Sequence, residues 1–99
     1  MPAADLRALT IGDFEPRKDE SFVIRLPQGE LALKLVQVRP LGDSGGAGGA
    51  FSLWFVSAPG PFLPQQIYPV EHPDMGQLDI FLVPLGPREA GNLYESIFT

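Results

Sequence analysis

The sequence predicts an all-β domain, a small antiparallel β-barrel or sandwich of about six strands with a short N-terminal helical turn. Three observations lead there. Apolar residues recur at every second position in short runs, as at Phe22, Ile24 and Leu26 or Leu78, Ile80 and Leu82. Eleven glycines and eleven prolines fall between those runs, with no G-X-Y period. Helical spacing is nearly absent. The 99 residues, 44% of them hydrophobic, read as one domain over 1–99 with a modest core.

In chain order, residues 1–8 are a frayed lead. Thr10 to Asp13 has capping-box spacing, with Asp in place of Glu or Gln, which predicts one helical turn through Phe14. Phe14 then points inward as a plug over one end of the sheet. Residues 15–20 form a charged surface loop. Residues 21–26 alternate as a first strand, and Pro27 to Gly29 signals a turn. In the second strand, 30–39, the apolar set shifts from odd positions (Leu31, Leu33, Leu35) to even ones (Val36, Val38). A two-residue period cannot put both sets on one face. Either a bulge near Leu35–Val36 resets the register or both faces are covered; the bulge is the preferred expectation.

Residues 40–50 hold five glycines in eleven positions. No Lys-Ser/Thr pair follows them and a strand rather than a helix comes next, so this is a flexible hairpin loop, not a phosphate cradle. Residues 51–57 are apolar on both faces: Phe51, Leu53 and Phe55 on one, Trp54 and Val56 on the other. Such a central strand needs a cover for its second face. Pro59, Pro61 and Pro64 make the next link extended and superficial. The strand 67–72 contains Pro69, which lacks a ladder donor and predicts a short or edge strand. In the turn 72–76, Pro73 and Asp74 suit the central positions and Gly76 supplies a left-handed conformation. Residues 77–84 point Leu78, Ile80 and Leu82 inward. A hairpin loop at 85–92 then leads into a sixth strand, 93–98. In a barrel that last strand pairs with the first; otherwise Tyr94 to Phe98 is an exposed apolar edge that favours oligomers.

Twelve acidic residues against seven basic ones give a formal charge of −5. The basic residues are scattered, which makes nucleic acid and anionic membrane poor partners. Without cysteine there is no disulfide, thiolate metal site or thiol nucleophile, and the composition suits a reducing cytoplasm. The N-terminal segment lacks a basic stretch followed by a long apolar one, so no secretory signal is expected, and no run reaches the roughly 18 apolar residues of a membrane helix.

Leu9-Thr-Ile-Gly-Asp-Phe14, Phe51-Ser-Leu-Trp-Phe55, Tyr68-Pro-Val-Glu-His-Pro-Asp-Met-Gly76 and the strand ending Phe81-Leu-Val-Pro84 resemble a DUF6916-like family of bacterial single-domain proteins of unknown function. Its pattern runs F-S-L-x-F, Y-x-x-E-H-P-x-x-G and F-L-V-P. The resemblance implies no assigned activity. It implies an accessory or assembly role near phage-tail-like proteins. The family's Gly after the charged loop is missing from Lys18-Asp-Glu-Ser21, so entry into the first strand needs another device.

Glu71, His72 and Asp74 are the one place where an imidazole and two carboxylates lie close in sequence. They suit a turn pinned by His72 better than a catalytic or metal site. Glu71 and His72 face opposite ways on a regular strand, and no second His or Cys completes a metal shell. Asp13, Glu15, Asp19 and Glu20 lack EF-hand order and read as a solvated loop. Trp54, Phe62 and Tyr68 are the candidate protein-interaction residues, with core packing as the alternative for Trp54 and Phe62. The functional expectation is therefore a non-enzymatic interaction or assembly module with a protein partner or a second copy, and with no catalytic residues, metal or cofactor. The alternative is a small-ligand or metal-binding barrel, or a minor hydrolase, using Glu71, His72 and Asp74.

Overall fold

The computed structural model describes residues 9–27, 29–42, 50–58, 63–88 and 91–98. The lead at 1–8, most of the Gly-rich loop and Phe62 lie outside the described residues. A helical turn α1 (Ile11–Phe14) runs into a 3-10 turn (Glu15–Arg17). Six strands follow: β1 (Ser21–Leu26), β2 (Gly29–Gly42), β3 (Ala50–Ser57), β4 (Gln66–His72), β5 (Gly76–Arg88) and β6 (Gly91–Phe98). They close an antiparallel barrel in the order β1-β2-β3-β6-β5-β4. No described helix is long and apolar enough to cross a membrane.

The helical turn forms as its spacing predicts. The Thr10 N–H and hydroxyl both donate to Asp13 Oδ2, at 2.7 and 3.3 Å. Phe14, fully buried, packs against Phe51 and Phe98 at centroid distances of 5.7 and 5.5 Å and closes one end of the barrel. Half of the expected charged loop is the 3-10 turn. Entry into β1 is made by Asp19, whose φ of 73° is the left-handed conformation that the missing glycine would take. Asp tolerates it better than most residues. Its N–H donates to the Leu35 carbonyl at 2.6 Å.

The register of β2 against β3 shifts between Leu35 and Gln37, the expected bulge. Leu33 and Leu35 are inward before it, and Val38 packs against the core after it. On β3, Phe51, Leu53 and Phe55 line the interior.

Three expectations about neighbours are corrected. First, β6 does not pair with β1; it lies between β3 and β5, and the barrel closes through β1 and β4. Second, the segment between β3 and β4, which stand on opposite sides of the barrel, does more than cross the surface. Their link is not wholly superficial: Leu63 is buried, and its N–H donates to the Tyr94 hydroxyl at 2.9 Å, closing the second end. Third, Pro69 does not make β4 an edge. β4 pairs with β5 along its length, and the missing donor coincides with the limit of the β1 ladder, which holds only Val23↔Glu71 and Ile24↔Val70.

Candidate functional site

The outer wall carries two contrasting faces. The first lies over the β1–β4 seam. Arg25 on β1 donates through Nε to Glu71 Oε2 on β4 at 2.6 Å, and its Nη1 meets Glu30 Oε2 at 2.8 Å. Glu71, by hydrogen bond and by charge, and Glu30 hold the Arg25 guanidinium above its ordinary value. An open groove of about 460 Å³ lies alongside, lined by Val23, Arg25, Glu30, Glu71, His72, Pro73, Gly76 and Gln77.

The sequence motif at this groove divides between two faces. Glu71 looks outward with Arg25. His72 points inward, only 6% exposed, with its ring 4.7 Å from that of Phe22. Both ring nitrogens are engaged: Nδ1 accepts from the Asp74 N–H at 3.1 Å, which leaves the Nε2 proton to face Glu20 Oε1 at 2.7 Å. His72 therefore ties the β4–β5 turn to the residue preceding β1. Asp74 is exposed and contributes its backbone rather than its carboxylate. Among the described residues no group of three or more His, Cys, Asp or Glu is placed to hold a metal ion.

The second face runs over β2, β3, β6, β5 and β4. Trp54 is half-buried on the outside of β3. Its Nε1–H donates to Glu95 Oε2 at 3.0 Å, Ser52 Oγ donates to the same oxygen at 2.8 Å, and the Arg39 guanidinium lies 5.4 Å from the indole centroid. The second face of β3 is thus covered by its own neighbours. Tyr68 does not join Trp54 in an aromatic patch, which corrects that expectation. It shares the inward side of β4 with Val70 and His72, is 3% exposed, and donates its hydroxyl to the Pro64 carbonyl at 2.6 Å.

In place of that patch the structure presents three aliphatic and aromatic side chains that sequence reasoning did not single out. Ile67, Phe81 and Ile97 are 62%, 45% and 56% exposed. Ile67 pairs with Phe81 across β4 and β5, and Ile97 pairs with Ser52 across β6 and β3. The Val83↔Glu95 register, carried two residues further, sets Phe81 and Ile97 at the same level. Arg39 pairs with Ser52 and ends the row. The signal was present in β5 and β6, whose runs are apolar at both parities: in a closed barrel one parity must face out. None of the exposed large hydrophobic residues lies on β1.

A family model described as a domain of unknown function (DUF6916) matches residues 9–98. No curated protein and no solved structure matches the chain.

Proposed function

The chain belongs to the DUF6916 family, a domain of unknown function, and we propose that it works as a non-enzymatic protein-interaction or assembly module. One observation carries this reading: the exposed row Ile67, Phe81 and Ile97 on three neighbouring strands, with Trp54 and Arg39 beside it. Isolated surface hydrophobics are ordinary, but a contiguous set marks a contact surface. Trp and Arg are the side chains most enriched where interfaces hold their energy. A barrel without free edges engages a partner through side chains, not by adding strands, which suits a component of an ordered assembly. The accessory role beside a phage-tail-like protein that the sequence resemblance implies is one form of this function.

The test is capture of a partner from the native cell with the tagged protein as bait. The same partner should be retained by wild type and by His72→Gln, and lost with Ile97→Asp or Phe81→Asp. Capture indifferent to both surface changes would refute the reading.

A second reading, a small-ligand or metal-binding barrel or minor hydrolase using Glu71, His72 and Asp74, has one observation in its favour, the groove beside that turn. Against it, the groove's charges neutralise one another, Arg25 with Glu71 and Glu30, and the imidazole is spent on two structural contacts. Turnover or ligand binding lost on His72→Gln, in a variant that keeps its fold, would reinstate it.

A further inference from the structure

We propose that His72 is a proton-operated latch: a second proton on its ring frees the Pro73–Asp74 corner of the β4–β5 turn, while the ring itself stays bound to Glu20. The latch belongs to the β1–β4 face and is independent of the interaction reading above.

Hydrogen bonding fixes which ring nitrogen carries the first proton. Nδ1 accepts from the Asp74 N–H at 3.1 Å and so bears none; the proton lies on Nε2, 2.7 Å from Glu20 Oε1. An imidazolium donates from both nitrogens. A proton on Nδ1 would face the Asp74 N–H, donor against donor, and that contact must break. The same proton makes the bond to Glu20 charge-assisted, a class about twice as strong as the neutral one. One event loosens one end of the latch and tightens the other.

Anchoring decides which side gives way. The Glu20 N–H donates to the Arg17 carbonyl at 3.0 Å, and its own carbonyl accepts from the Leu35 N–H at 3.1 Å. The ring packs on Phe22, fully buried on β1. Within the turn closed by the His72↔Gly76 pair, Met75 packs against the core, but Pro73 has no N–H and Asp74 is exposed. The Asp74 N–H can therefore pass from the imidazole to water, so the release is local. Pro73 also lines the groove beside the seam, and its movement reshapes that wall.

The second proton does not leave an uncompensated buried charge. Glu20 contacts the ring, Glu30 and Glu71 line the same groove, and Asp74 stands two residues on. Arg25, the cation of that groove, is engaged by Glu71 and Glu30, and Lys34 on β2 lies across from Ser21. Histidine changes charge between about pH 5 and 8, so mild acidification is the trigger.

The experiment is a nuclear magnetic resonance titration of the whole chain from about pH 8 to about pH 5. It follows the imidazole nitrogens and the protection of backbone amides relative to their intrinsic exchange at each pH. At the alkaline end the ring proton should sit on Nε2. As the second proton binds, Asp74 should lose about fivefold in protection at the same midpoint, with β3 and β6 unchanged. Glu20→Gln keeps an acceptor and removes the charge, so the midpoint should move to lower pH; in His72→Gln the step should vanish. A proton on Nδ1 at the alkaline end overturns the inference, as does a ring that stays neutral throughout. So does a ring that titrates while Asp74 keeps its protection, or a midpoint indifferent to Glu20→Gln. Protection lost in β3 and β6 at the same midpoint would mean unfolding of the barrel and equally refute a local latch.

Discussion

Replacing Gly91 with alanine should be among the most damaging single-methyl additions available to this barrel. Gly91 opens β6 at φ 144°, and a Cβ added there would lie 1.7 Å from the Ser57 carbonyl oxygen and 2.8 Å from its carbon. Both contacts are with backbone, so no side chain can swing aside, and β3 and β6 must part by more than about 1 Å. Two costs add. The backbone conformation is worth about 1–3 kcal/mol against any residue with a Cβ, and overpacking against a rigid neighbour adds about 1–3 more. Together they reach roughly 2–6 kcal/mol, a large part of the 5–15 expected for a domain of this size. Gly29 provides the control. Its φ of 141° is nearly the same, yet nothing lies within 4 Å of its missing Cβ. Gly29→Ala should therefore lose only the conformational part, about 1–3 kcal/mol. Urea unfolding, followed by circular dichroism and Trp54 fluorescence, measures both. Equal losses in the two variants would show that close approach at Ser57 is not what demands glycine.

Three further outcomes follow from the same geometry. His72→Ala should destabilise by about 2–3 kcal/mol, since it removes a buried ring from Phe22 as well as two hydrogen bonds, while His72→Phe should recover the packing share in a denaturant titration. Asp19→Gly should stabilise by about 0.5–1 kcal/mol by relieving the left-handed strain, and a fall in the urea midpoint would contradict that account. Burial, reinforced by Tyr94, raises the Tyr68 phenol above its usual 10.0. An unfolded tyrosine ionises first, so this contribution is intact below pH 10 and is lost as pH rises through the folded value. Tyr68→Phe should flatten that alkaline decline in melts taken across the range.

Facing and the hairpin pairing of consecutive strands were legible in the sequence; the pairing of strands distant in the chain was not. Alternation put Phe22, Ile24, Leu53, Phe55 and Leu78 inside, the parity switch located the bulge after Leu35, and the Thr10–Asp13 spacing located the turn that delivers Phe14. Each is a property of a few consecutive residues. The placement of β6 between β3 and β5 is not, because pairing partners are chosen by the whole closed wall. Pro69 shows the difference: its chemistry is local and ends a ladder, but whether that makes an edge depends on what closes the barrel. The working surface was half legible. Trp54 sits on the outer face, but Tyr68 has the parity of the core, and only the β4–β5 and β5–β6 registers align Ile67, Phe81 and Ile97.

The join between β1 and β4 has a consequence for how the molecule breathes. Among the described residues only two residue pairs join these staves, backed by an exposed ion pair, the imidazole tie and the Phe22–His72 ring contact, whereas every other junction is stitched by five or more pairs. Under native conditions the wall will unzip there first, and amide protons along that line will trade with deuterium long before those buried between β3 and β6.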